Sequence, residues 1–132
     1  MHALTKVFRY LWASPATGLG LGLGILALAT GGRVQRSGGT LEFYGGLLRP
    51  VLAKLPGGPC IMAMTLGHAI VGRDAASLDR ARAHELVHVR QYEQWGPLFL
   101  PAYLACSAVI WCRGGDAYRD NPFERQAYAV AP

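Results

Sequence analysis

What the chain has little of narrows its function first. Only 16% of its 132 residues are charged, and just eight of those are acidic. The thirteen basic residues are dispersed, without a basic run or interleaved stacking aromatics. Nucleic-acid binding is therefore unsupported, and attraction to anionic lipid headgroups is the simpler reading of the net charge of +5. Three cysteines, Cys60, Cys106 and Cys112, are an odd count, and none stands at a metal-ligand spacing from another. On a helix, Cys106 and Cys112 would face different sides, which argues against a bridge between them, so all three read as small buried residues. The chain also has no internal repeat and no low-complexity linker, and its length allows a single core.

Charge is missing altogether from Tyr10 to Gly32, a run of 23 residues flanked by Lys6 and Arg9 before and by Arg33 and Arg36 after. That is long enough to span a bilayer. Gly18 with Gly22, and Gly20 with Gly24, form two overlapping GxxxG pairs. In a membrane helix such pairs admit a second helix closely, whereas in water each glycine would weaken the helix by up to about 1 kcal/mol. Residues 1–36 are therefore expected to be an N-terminal membrane anchor, and 37–132 the chemical domain. A cleaved secretory signal ending near Ala27-Leu28-Ala29 is the competing reading. Positive residues on both flanks leave the orientation open.

Against this sparse background stands His84-Glu85-Leu86-Val87-His88, an HExxH motif. From Ser77 to Trp95 there is no Gly or Pro, Asp74 or Ser77 can cap the start, and Gly96-Pro97 reads as a stop. The motif is thus expected on a helix, where His84 and His88 share one face and can ligate one ion. Glu85 lies about 100° further round, within reach of a water on that ion. Leu78, Leu86 and Val89 face the core, while Arg80, Arg82, Arg90 and Glu93 need solvent or partners.

A catalytic zinc takes three protein ligands and keeps one position open. Downstream of the motif the carboxylates are Glu93, Asp116, Asp120 and Glu124. Glu93 is on the same helix, well round from the histidines. Glu124 follows Asn121-Pro122, a helix start with Asn as cap and Pro at the first position, and falls one turn in. It is the expected third ligand; the plainer role for it is a capping box with Asn121.

HExxH followed by a glutamate on a later helix resembles the gluzincin metallopeptidases, and the compactness resembles the minimal gluzincins and the catalytic core of Ste24/HtpX-like membrane peptidases. The resemblance covers Gly67 to Tyr128. It implies an α+β, zincin-like fold, Zn2+ as cofactor, His84, His88 and Glu124 as its ligands, and Glu85 as general base. Where those families place an aspartate four residues after the ligand glutamate, this chain has Tyr128. Its hydroxyl is expected either to hold an imidazole or to donate to a transition-state oxyanion.

The remaining elements follow from local pattern. Thr40 to Tyr44 reads as a strand, as do Cys60 to Leu66 and His68 to Val71 on either side of Gly67; Leu47 to Leu55 reads as a short helix. The gluzincin resemblance implies that the strand before the zinc helix borders the cleft and pairs with an extended peptide. The apolar run from Leu98 to Trp111 cannot cross a membrane once, because both of its ends must return to one ion. It is expected to be a buried core helix, an interfacial helix or a re-entrant one.

These expectations sum to a membrane-associated zinc hydrolase acting on a peptide or protein substrate, with lipid and a second helix as its other partners. One alternative is a non-catalytic, zinc-stabilised membrane protein with a degenerate HExxH site and a fourth protein ligand such as His68. The other is a membrane packing factor in which the glycines function and no metal binds.

Overall fold

Two glycine turns organise the strands. Gly38-Gly39 joins β1 (Arg33–Ser37) to β2 (Thr40–Tyr44), and Gly67, at φ +63°, joins β3 (Ala63–Leu66) to β4 (Ala69–Gly72). Both pairs are antiparallel, while β2 runs parallel to β4, from Leu41 beside Ala69 to Tyr44 beside Gly72. The sheet order is β1-β2-β4-β3. The computed structural model describes residues 3–55 and 61–131, so Cys60 lies outside the described residues.

Helices cover this sheet. They are α1 (Ala3–Ala29), α2 (Leu48–Ala53), α3 (Ala75–Trp95), α4 (Phe99–Cys112) and α5 (Pro122–Val130), with one 3-10 turn at Gly96–Leu98 between α3 and α4. The fold is mixed α+β, with an apolar helix first. Asp74, rather than Ser77, caps α3 by accepting from the Ser77 N–H at 2.7 Å, and Gly96 ends that helix at φ +60°. Asn121 caps α5 with Pro122 behind it, accepting from the Phe123 N–H at 2.9 Å.

Alternation along β4 divides the core. Ala69 and Val71 face α1 and α2, where they meet Ala27, Phe43, Leu48 and Leu52. Ile70 faces α3, where it meets Leu78 and Val89. A third cluster joins Ala13 and Ala16 of α1 to Tyr92 and Phe99. Beneath α3 the fully buried Glu42 carboxylate accepts two bonds from the Arg82 guanidinium, at 2.8 Å each, and one from Gln35 at 2.7 Å. A paired buried charge of this kind is costly to break from one side, by about 3–5 kcal/mol.

Three expectations change. β1 was not among the expected strands, and residue 36, the expected boundary between anchor and domain, falls inside it. Two of the four glycines of α1, Gly20 and Gly24, pack on the sheet. A Cβ added at Gly20 would lie 2.7 Å from the Ala69 Cβ, and one at Gly24 would lie 2.5 Å from the Phe43 ring, whereas Gly18 and Gly22 face open space. Finally, α4 is not a core helix. Only Phe99 is buried on it, Leu104 and Trp111 are 57% and 72% exposed, and Cys112 is exposed with Cys106 half-buried. Packed small residues keep α1 on the sheet, whereas α4 leaves most of its apolar side chains outside the core.

The stretches Ala3–Ala29 and Ala75–Cys112 are each long and apolar enough to cross a membrane, the second counted through α3, the 3-10 turn and α4. The packing of α1 yields a direct test. Gly20→Leu should lower the unfolding free energy by about 2 kcal/mol or more, because the helix must lift off Ala69. Gly22→Leu, on the open face, should leave it unchanged or raise it by up to about 1 kcal/mol. Thermal denaturation in detergent reads both; equal losses would show that α1 does not dock as described.

Candidate metal centre

Helix α3 presents His84 and His88 one turn apart and buried, and α5 presents Glu124, also buried, across from them. One oxygen of Glu124 lies between the two rings. Oε1 accepts from His84 Nε2–H at 2.9 Å and from His88 Nε2–H at 3.1 Å. Asn121 caps α5 through its own side chain, so Glu124 is turned to the histidines and not back to the cap.

The other ring nitrogens are held as well. His84 Nδ1–H donates to the Ala131 carbonyl at 3.3 Å, and His88 Nδ1–H donates to Gln91 Oε1 at 2.7 Å. Gln91 is fixed in turn, its amide donating to Phe123 O at 3.1 Å and to Gln126 Oε1 at 2.7 Å. With both Nδ1 atoms turned to oxygen acceptors, the two Nε2 atoms are the ones that would ligate an ion once they give up the protons they share with Glu124.

Glu85, beside them, is buried and lies with Oε2 4.0 Å from His84 Nε2; its Oε1 accepts from the Thr65 hydroxyl at 2.9 Å. Tyr103, from α4, donates to the second oxygen of Glu124 at 2.7 Å. The aromatic wall behind the cluster is Phe99, Tyr103 and Phe123.

These donors suit a zinc ion. Two imidazole nitrogens and a carboxylate oxygen are a common catalytic set, and a tetrahedral ion with bonds near 2 Å separates its ligand atoms by about 3.3 Å. The observed separations of 2.9 and 3.1 Å are close to that. His84, Glu85 and His88 also offer ligand atoms that all lie within 4.8 Å of one another.

Electrostatics follow from burial and proximity. Burial alone would lower both imidazoles, but the Glu124 carboxylate, reinforced by Glu85, outweighs it and holds them above the ordinary histidine range. Burial pushes Glu85 up to about 7 despite the two neighbouring histidines. Glu124 would likewise rise on burial, yet its hydrogen bonds to His84, His88 and Tyr103 hold it at about 2.

The structure thus brings together His84, Glu85, His88 and Glu124. Tyr128 holds neither imidazole through its hydroxyl. Its ring packs edge-on against His84, centroids 4.4 Å apart, and its OH bonds the Tyr118 OH at 3.0 Å. His68, the expected fourth ligand of a closed site, is engaged elsewhere: its Nε2–H donates to Glu93 at 2.8 Å and its ring stacks on Tyr10. Glu93 is therefore a partner of His68 and Arg9. Sequence reading missed Gln91, Thr65 and Tyr103. Gln91 stands three residues after His88 on the same helical face, a spacing that could have found it; Thr65 and Tyr103 leave no sequence signal.

Comparison with protein-family models, with curated proteins and with solved structures gave no match.

The charge pattern predicts how stability varies with pH. Without metal, the raised imidazoles and the raised Glu85 each bind more protons folded than unfolded between about pH 5 and 8, so their stabilising effect is complete at the acid end and lost as pH rises. Glu124, held low, contributes throughout that window and loses its effect only below it. The melting temperature in EDTA should therefore fall from pH 5 to 8, while the gain on adding zinc should grow, because the ion competes with protons for Nε2. A zinc gain that is constant or shrinks with pH would exclude His84 and His88 as ligands.

Proposed function

We propose that the chain is a membrane-associated, zinc-dependent hydrolase of amide bonds, a metallopeptidase of the minimal gluzincin kind. The observation that carries this reading is the single Glu124 oxygen set 2.9 and 3.1 Å from two imidazole Nε2 atoms, with a buried glutamate beside them. His84, His88 and Glu124 would hold the ion; Glu85 would be the general base. When bound, zinc supplies polarisation of the scissile carbonyl and acidification of water.

The chain's own groups divide the remaining work. Glu85 takes a proton from the attacking water, whose oxygen bonds to the carbonyl carbon. As the carbon–nitrogen bond breaks, Glu85 returns the proton to the leaving nitrogen, giving a carboxylic acid and an amine. Its burial beside the two imidazoles, with one oxygen held by Thr65, places a carboxylate where it can both accept and donate that proton. Thr65 fixes the direction of its carboxylate, and Tyr103 and Gln91 fix Glu124 and His88. Water enters and substrate approaches through the cavity that Glu85, His88 and Glu124 line.

Membrane association rests on exposed apolar surface. The outer face of α1 carries exposed Leu4, Leu11, Leu19 and Ile25, the 3-10 turn exposes Leu98, and α4 exposes Leu104 and Trp111. Such faces suit lipid, with α1 holding the domain by its small-residue side.

Elemental analysis of the purified protein, paired with cleavage of a quenched fluorescent peptide library, tests the reading. One zinc per chain is expected in the wild type and in Glu85→Gln, and none in His84→Ala or Glu124→Ala. Cleavage should fall by about 100- to 10,000-fold in Glu85→Gln. A wild type that binds no zinc after reconstitution, or a Glu85→Gln variant with full activity, would overturn it.

A further inference from the structure

The candidate centre opens into a cavity of about 630 Å³, within the range of small-molecule sites. Glu85, His88 and Glu124 line it together with apolar side chains of β3 and α4, including Met64, Leu66, Leu104 and Trp111. From Phe99 to Trp111 the α4 wall spans nearly the whole 14-residue helix. At the α-helical rise that is about 18 Å, longer than any amino-acid side chain.

The polar groups along this wall are already satisfied. Ser107 donates to the Ala117 carbonyl at 2.8 Å, Tyr118 and Tyr128 bond one another at 3.0 Å, and the Tyr92 hydroxyl donates to Thr65 O at 3.1 Å. An extended peptide could pair with the edge strand β3 on one side only, and would leave its other backbone edge unpaired against α4. An alkyl chain has no such groups to satisfy.

We propose that the groove holds the long alkyl chain of an acylated substrate, which runs from the Glu85–His88 end along α4 and places its amide at the candidate centre. The polar end of this assignment rests on the hydrolase reading; the apolar groove does not. The mouth lies along a helix that carries no charge and exposes Leu104 and Trp111, so the chain can enter from lipid.

The test titrates n-alkyl hydroxamates, from acetohydroxamate to decanohydroxamate, into the zinc-loaded full chain in nanodiscs. Affinity should rise about fourfold per added methylene. Ala108→Trp, or Leu104→Trp one turn away, should level that slope while leaving zinc content and acetohydroxamate affinity unchanged. In a parallel arm with EDTA, a decanamide tipped with a photoreactive diazirine should label the Trp111 end of the cavity, and Ala108→Trp should remove the label. A flat series with acetohydroxamate bound, absent labelling, or tighter binding of a peptide hydroxamate of equal size would overturn the groove assignment. Labelling with no acetohydroxamate binding would instead overturn the metal reading and leave the groove standing.

Discussion

The carboxylate of Glu124 is the constraint on which the site depends. It draws α5 onto α3 through two imidazoles and α4 onto both through Tyr103, so the three helices that meet in the Tyr92, Phe99 and Phe123 aromatic cluster are also fixed at one polar point. In the metal-free chain this is a buried carboxylate hydrogen-bonded to two imidazoles, which it holds above the ordinary histidine range. Such an arrangement is stable only because the buried groups are one another's partners. Under the proposed reading a metal ion would take the place of the protons between them, in the same geometry. The outer bonds to Ala131, Gln91 and Thr65 are what keep it so.

The sheet supplies the rigidity behind that point. β4 is buried along its whole length, and α1 lies across it because Gly20 and Gly24 bring the two backbones close. The opposite face of the sheet holds α3 through Ile70, Leu78 and Val89, with the Glu42–Arg82 pair between them. Movement of α3 would unpair a buried charge. The motif helix is thus clamped from below by packing and from one end by its Asp74 cap.

Much of this was legible in the sequence, and the reasons for success and failure differ. The histidines and Glu85 were legible because helical period fixes their relation once Gly and Pro are absent. Glu124 was legible because Asn121-Pro122 sets the start of its helix. The strand β1 was not, since Arg33 and Arg36 were read as flanks of a membrane segment; in fact β1 is an edge strand, where outward charge is what discourages pairing with other chains. The glycines of α1 were rightly read as a close-approach surface, but sequence cannot say whether the approaching partner is a helix or a strand. Tyr128 was chosen by its spacing from Glu124, yet the tyrosine bonded to that carboxylate is Tyr103, from a helix whose apolar composition gave it no apparent role in the chemistry.

That helix also shows why composition alone misjudged the apolar excess. An apolar helix in a small chain is normally explained by burial, yet on α4 only Phe99 is buried, packed with Tyr92 and Phe123, and the helix beyond it is held by polar bonds: Tyr103 to Glu124, and Asn121 to both the Tyr103 carbonyl and the Ser107 hydroxyl. Its leucines and tryptophan are therefore left facing outward or into the cavity. A helix held this way keeps its position without needing its apolar surface, which leaves that surface free to meet something else. The polar fastening and the apolar face are consequently one arrangement. The bond that orients Glu124 also stands α4 off from β3, so the charged end of the cavity and its apolar length are set by the same few residues.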